Sequence, residues 1–195
     1  MTAVQADLFQ PVGRSPEFAS PEFTPGSPDE PPLDRPGVGD GPALWRLARD
    51  SGALDLNSSY SYLLWCRDFA ATSLVARGPQ GSPVAFATGY VRPEAPDTLL
   101  VWQVAVDGAY RGRGLAGRLL DELGARVGAS HGVRRLETTI TPGNTASERL
   151  FTAYARRRGA PLSREVLFAG EHFPDGHDPE VLFRIGPFTT DGETL

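Results

Sequence analysis

Cysteine is nearly absent from this 195-residue chain, in which Cys66 stands alone. No intrachain disulfide can form, and a four-thiolate metal site within one chain is excluded, which points to a reducing, cytoplasmic compartment. A basic excess is lacking as well, since 19 Lys and Arg face 24 Asp and Glu for a net charge of −5. Such a chain has no electrostatic footprint for wrapping nucleic acid or an anionic membrane, so neither is expected as a partner. No apolar run approaches the ~18 residues needed to span a bilayer, and the N-terminus lacks the basic start and apolar stretch of a signal peptide. The protein is expected to stay where it is made. Of the three histidines, His172 and His177 flank Phe173-Pro174-Asp175-Gly176 with no third ligand indicated, so no metal is expected. What is present is 40% apolar sequence, enough for one ordinary core and one globular domain.

Residues 1–32 are dominated by Pro, Ser, Glu and Gly, with Phe9, Phe18 and Phe23 isolated and no period of 2 or 3.6. They read as a disordered arm. Its repeated Ser-Pro-Glu-Phe, at Ser15 and Ser20, is assigned no function. The domain is expected over 33–188, with a flexible tail at 189–195. Asp40-Gly41-Pro42 supplies a cap signal for a helix with Leu44, Trp45, Leu47 and Ala48 on its apolar face, ended by Gly52. A second helix is predicted from Ser58 to Phe69, with Cys66 buried in it. Thr72 to Ala76 and Pro83 to Tyr90 read as a hairpin across Gly78-Pro79-Gln80-Gly81. Leu99 to Val106 is nearly continuous apolar sequence and so a central strand. A helix follows, with Leu115, Leu119, Leu120, Leu123 and Val127 on one face. Then come a strand at Arg135 to Ile140, a helix from Asn144 to Arg158 stopped by Gly159, and strands at Glu165 to Phe168 and Val181 to Ile185. The order predicts an α/β fold in which helices flank a mixed, partly parallel central sheet.

Between the central strand and the following helix lies Asp107-Gly-Ala-Tyr-Arg111-Gly112-Arg113-Gly114-Leu115-Ala116. Backbone N–H groups at a helix start have no internal partner, and with the helix dipole they form an anion site that glycine lets a phosphate approach. The spacing is neither that of a Rossmann fingerprint nor that of a P-loop. The bland alternative is that Gly112 and Gly114 merely turn the chain while Arg111, Arg113 and Arg118 are solvated charges. Arg111-x-x-Gly114-x-Ala116 resembles the Arg/Gln-x-x-Gly-x-Gly/Ala signature of the GNAT N-acetyltransferases, and Asn144-x-x-Ser147-x-x-Leu150-Phe151 resembles that family's later Asn-x-x-Ala-x-x-Leu-Tyr.

The resemblance implies an acetyl-CoA donor. Its pyrophosphate would lie on Arg111, Gly112, Arg113, Gly114, Leu115 and Ala116, its pantetheine along Val104, Ala105 and Val106, and its thioester near Asn144. Phe151 departs from the family pattern, because many members place there a tyrosine suited to protonate the departing thiolate. Tyr154, three residues on along the same helix face, is the alternative acid or a core aromatic.

Leu54-Asp55-Leu56-Asn57-Ser58-Ser59-Tyr60-Ser61-Tyr62-Leu63-Leu64 further resembles the diaminobutyrate acetyltransferases of ectoine synthesis. The likeness continues in order through Gly89-Tyr90, Pro96 to Leu99, Val101 to Val106, Leu136 to Pro142 and Gly176-His177-Asp178-x-Glu180. It implies the γ-amine of L-2,4-diaminobutyrate as acceptor and a homodimer. The alternatives are a GNAT enzyme for another amine (a polyamine, a peptide N-terminus or a lysine) and a CoA-binding module without catalysis.

Such an acceptor carries one carboxylate and two amines, so the site must hold one end and aim the other. Asp55 and Glu180 suit ammonium groups, Asn57, Ser59 and Tyr60 suit orientation by neutral hydrogen bonds, and Trp102 would wall the site. Asp55 is equally suited to cap the second helix, and Trp102 to lie in the core. An alkylammonium of pKa near ~10 must lose a proton before attack, and Glu137, Glu180 and His177 are the candidate relays. Arg156-Arg157-Arg158 either answers the helix dipole or meets the CoA 3′-phosphate.

Overall fold

The computed structural model describes residues 30–188, so all but the last three residues of the arm expected over 1–32, and the tail expected at 189–195, lie outside the described residues. In chain order the elements are β1 (Leu33–Asp34), α1 (Gly41–Ser51), α2 (Ser59–Asp68), β2 (Leu74–Arg77), β3 (Pro83–Arg92), β4 (Ala95–Val106), α3 (Leu115–His131), β5 (Arg135–Ile140), α4 (Thr145–Arg157), β6 (Leu162–Phe168) and β7 (Glu180–Ile185). The strands form one seven-stranded sheet in the order β1-β2-β3-β4-β5-β7-β6, with β4 at its centre. Among the described residues only β4 and β5 run parallel. The expected mixed sheet is thus observed.

Helices cover both faces. The apolar stripe of α3 is buried as its period requires, and with Phe151, Tyr154 and Ala155 of α4 it packs on Leu99, Val101, Leu136 and Ile140. On the other face Leu44, Leu47 and Ala48 of α1 and Tyr62 and Cys66 of α2 pack on Val75, Phe86 and Ala105.

The near-continuous apolar run of β4 has a specific cause. Thr88 pairs with Gln103 and Gly89 with Val101, so Trp102 is an extra residue in a β-bulge. A bulge reverses which face later residues occupy. Leu99 and Val101 accordingly face α3, whereas Ala105 faces α1 and α2. Gly89 is required opposite the bulge, because a Cβ there would lie 2.6 Å from the Leu100 carbonyl oxygen.

Three local expectations change. Thr72 closes a short 3-10 turn instead of starting a strand, and its hydroxyl donates to the Gly89 carbonyl at 2.6 Å. Asp40 does not cap α1; it accepts from the Gly37 N–H at 2.8 Å and pairs with Arg77 at 3.0 Å. Ordered contacts begin ahead of the expected boundary at Leu33, since the Pro32 carbonyl accepts from the Arg77 N–H at 2.9 Å. The two-residue strand β1, pairing Leu33 with Ala76, is too short to carry a sequence period.

Candidate active site

β4 and β5 pair only from Thr98 with Arg135 to Leu100 with Glu137, although each strand continues beyond that point. The two strands therefore part, and Val101–Val106 has no strand partner on the β5 side among the described residues. Past the end of β4, a cavity of about 500 Å³ opens at the start of α3, lined by Val106, Arg111, Gly112, Gly114, Leu115 and Ala116. Tyr110, Gly117, Arg118, Asp121, Leu150 and Arg157 complete its wall.

Gly112 and Gly114 hold φ of +77° and +74°, with no atom within 4 Å of the place where a Cβ would stand. Left-handed backbone without side chains brings the chain's N–H groups to the surface at the N-terminus of a 17-residue helix. Such a cradle, ringed by guanidiniums and continuous with an unpaired strand edge, fits a diphosphate carrying an extended amide chain.

Val104 and Ala105 lie on the unpaired edge of β4, where the expectation asked for their backbone, and the Ala105 side chain is packed beneath α1 and α2. Two other residues expected on the donor side have their side chains engaged with neighbours. Arg113 lies over the Tyr110 ring at 5.4 Å. The amide of Asn144 is already used: its Oδ1 accepts from the Ser147 N–H at 3.1 Å as the cap of α4, and its Nδ2 donates to the Ala53 carbonyl at 3.4 Å. It ties α4 to the α1–α2 loop instead of reaching toward a ligand.

Tyr154 is corrected more sharply. It is fully buried, its hydroxyl abuts Gly124, and the Arg158 guanidinium lies 5.5 Å from its ring. Burial pushes the phenol above its ordinary pKa. On α4 the cavity side carries Leu150 and Arg157, whereas Phe151, Tyr154 and Ala155 fall on the core side. Tyr154 is a core residue and does not face the cavity.

The acceptor candidates gather at the same end of the sheet. His177 Nε2 lies 3.0 Å from Asp55 Oδ2 and 3.8 Å from Glu180 Oε1, and His177 Nδ1 lies 2.6 Å from the Asp178 carbonyl. The bond to Asp55, then that to the Asp178 carbonyl, raises the imidazole pKa above its ordinary value. Glu180 also accepts from the Thr141 hydroxyl at 3.1 Å, and Phe173 packs on the His177 ring at 4.7 Å. Asp55 is therefore no helix cap. Of the carboxylates beside His177, Asp55 lies 122 residues away and Glu180 three residues on, and the three groups lie close enough to grip one cation. His172 instead bonds the Ala169 backbone.

Asn57 Nδ2 reaches the Asp55 carbonyl at 3.5 Å, while Ser59 and Tyr60 stand exposed on the first turn of α2. Trp102 is 48% exposed and stacks on Trp65 with ring centroids 6.0 Å apart, so it is not core. Trp65 also meets Phe69 and Tyr90.

Sequence reading missed Gln103, which is buried, accepts from the Tyr62 hydroxyl at 3.0 Å and donates to the Asp55 carbonyl at 2.8 Å. It pins the Asp55 loop to β4. A lone amide inside an apolar strand was the available signal.

Glu137 is 3% exposed, with Arg92 on Oε2 and Arg184 on Oε1, each at 2.8 Å. Both oxygens are engaged by guanidiniums, so it anchors an ion-pair network and is not presented as a free base.

The acetyltransferase (GNAT) family model matches residues 42–155. The chain is 63% identical over 190 residues to an L-2,4-diaminobutyric acid acetyltransferase of Streptomyces avermitilis, covering 97% of this chain and 99% of that one. It is 46% identical to the protein of the same name from Marinococcus halophilus, covering 85% and 95%. Among solved structures it resembles a diaminobutyrate acetyltransferase from Paenibacillus lautus in complex with its substrate L-2,4-diaminobutyric acid and coenzyme A. That likeness has a TM-score of 0.77 and 44% identity, over 83% of this chain and 98% of that one. A phosphinothricin acetyltransferase from Sinorhizobium meliloti, at 18% identity and a TM-score of 0.63, shares the fold. The chain belongs to the acetyltransferase (GNAT) family and, within it, to the L-2,4-diaminobutyric acid acetyltransferases.

Proposed function

We propose that the protein transfers the acetyl group of acetyl-CoA to the γ-amine of L-2,4-diaminobutyrate, giving N4-acetyl-L-2,4-diaminobutyrate and CoA. The observation that carries this reading is the adjacency of two unlike sites at one end of the sheet. One is a phosphate cradle at the start of α3; the other is an imidazole between two carboxylates, tied to β4 through Gln103. The names of the relatives and the ligands of the Paenibacillus lautus structure support the same pair of substrates.

The thioester supplies an activated acetyl group, and the neutral amine attacks its carbonyl carbon; a C–N bond forms and the C–S bond breaks. No enzyme nucleophile is needed. Cys66 is buried in α2 and its thiol is pushed up to about 11, which keeps it protonated and inert. Asp55 and Glu180 attract the acceptor's ammonium groups, and Trp102 closes one side so that a single nitrogen is directed at the thioester. With Glu137 held by two arginines, His177 and Glu180 are the groups left to take the amine proton. With Phe151 and Tyr154 both on the core side of α4, the thiolate leaves to solvent, as its modest basicity permits.

Incubating the protein with acetyl-CoA and L-2,4-diaminobutyrate, counting released thiol and locating the acetyl group by NMR tests the proposal. Transfer to the γ-nitrogen is expected. Acetylation at the α-nitrogen, faster turnover with spermidine or a lysine peptide, or binding without thiol release contradicts it. The resemblance further implies a homodimer in the cytoplasm, and light scattering is expected to give twice the 21.0 kDa chain mass. Among the described residues no helix is long and apolar enough to cross a membrane.

A further inference from the structure

Acetyl transfer leaves the run Arg156-Arg157-Arg158 unused, and its three guanidiniums are placed differently. Arg156 is exposed on α4. Arg158 turns inward, donating to the Asp121 carbonyl at 3.0 Å and lying over the rings of Tyr154 and Phe188. Arg157 alone of the three lines the cavity at the start of α3. Its Nε and Nη2 fork onto the Asp121 carboxylate at 3.0 and 3.2 Å, and it crosses the face of Gly117, where a Cβ would stand 3.4 Å from Nη2.

A cation that serves only the dipole of its own helix can extend into water. Arg157 instead reaches 36 residues back in the chain, to the second turn of α3. The unpartnered N–H groups of that helix belong to its first turn, at Leu115, Ala116 and Gly117. Asp121 and the guanidinium it holds are one turn further along. In CoA the 5′-diphosphate and the 3′-phosphate are separated by a single ribose. A diphosphate seated on the first turn therefore leaves the 3′-phosphate within reach of the second. The other lining cations stand nearer the diphosphate seat: Arg111 belongs to the glycine-rich turn, its Nε donating to the Val106 carbonyl at 3.1 Å, and Arg118 lies in the first turn of α3, facing Glu30 at 3.3 Å.

We infer that Arg157 is the receptor for the 3′-phosphate of CoA, poised over Gly117 by Asp121, so that the protein distinguishes CoA from its 3′-dephospho form. The inference rests on the proposed use of acetyl-CoA. The pair with Asp121 is half exposed, 41% and 42%, and such pairs hold weakly. The fork can therefore exchange a carboxylate for a dianionic phosphate, whose geometry it matches equally well. Before the ligand arrives, Asp121 keeps the guanidinium stretched across α3, and the absent side chain of Gly117 leaves it room.

Calorimetry on the full chain with CoA and with 3′-dephospho-CoA, without acceptor, tests this. The wild-type protein is expected to prefer CoA about tenfold, the scale of one charged hydrogen bond. Arg157→Gln is expected to abolish that preference by weakening CoA while leaving the 3′-dephospho affinity intact. Asp121→Asn, which loosens the same helix–helix contact but keeps the cation, is expected to retain the preference. Equal affinity of the wild type for both compounds overturns the inference. So does a parallel loss of both in Arg157→Gln, or an Asp121→Asn variant that loses the preference as fully as Arg157→Gln, since each makes Arg157 a helix clamp. A wild-type protein that binds neither compound overturns the donor reading itself, and this inference with it.

Discussion

At His177 both ring nitrogens face oxygen acceptors, the Asp178 carbonyl and the Asp55 carboxylate. A neutral imidazole has one N–H and cannot donate to both, so this geometry is that of the imidazolium. The shift is upward, so the ion pair is fully present below the ordinary pKa near 6.5 and is lost as pH rises through the raised value. An NMR titration is expected to find His177 above an ordinary histidine and Asp55→Asn to bring it down; an unmoved midpoint would mean that the contact is not kept in solution. As a base the imidazole must first lose that proton, so turnover is expected to rise with pH across the same interval. Tyr154 carries the opposite expectation. If its hydroxyl were the acid for the thiolate, its removal would cost roughly a hundredfold in kcat. Buried against Gly124, it does no such work, and Tyr154→Phe is expected to keep kcat within about twofold.

At the level of elements, two glycines set the geometry of the site for different reasons. Gly89 lets β3 pass beneath the bulge of β4, and Gly89→Ala places a methyl group against the Leu100 carbonyl. The lost bulge geometry is expected to cost about 1–3 kcal/mol, read as a lower Tm, together with a raised KM for the amine because Trp102 is displaced. Gly114, the left-handed cap of α3, tolerates no β-branched side chain, and Gly114→Val is expected to abolish CoA binding in calorimetry while the amine-side groups stay in place. The period of 3.6 marked the core face of α3 correctly, and the left-handed turn was visible as Arg111-x-x-Gly114-x-Ala116. The bulge was not, because an alternating and a bulged strand of apolar residues read alike. Nor did the period separate the two sides of α4, where Phe151, Tyr154 and Leu150 are all apolar enough for the core but only Leu150 faces the cavity.

Across the whole molecule, the cavity at the start of α3 and the Asp55–His177–Glu180 cluster share no residue, and the two proposed sites are expected to be separable in kinetics. Asp55→Asn and Glu180→Gln are expected to raise KM for the amine with CoA affinity little changed, since neither carboxylate lines the α3 cavity. An unchanged amine KM in both variants would remove them from the acceptor site.

The order of elements from α1 onward, the central strand and the glycine-rich turn at the start of α3 follow from the chain alone, because periodicity, glycine's access to positive φ and the unpaired N–H groups of a helix start are local properties. The chemistry of the acceptor side is not local. Asp55 and His177 meet across 122 residues, Gln103 reaches the Asp55 carbonyl across 48, and Glu137 is claimed by arginines 45 and 47 residues away. Which partner each carboxylate takes depends on strand register and on one bulge. Folding decided these pairings, since no short pattern of residues records which distant side chain will fill a carboxylate's lone pairs.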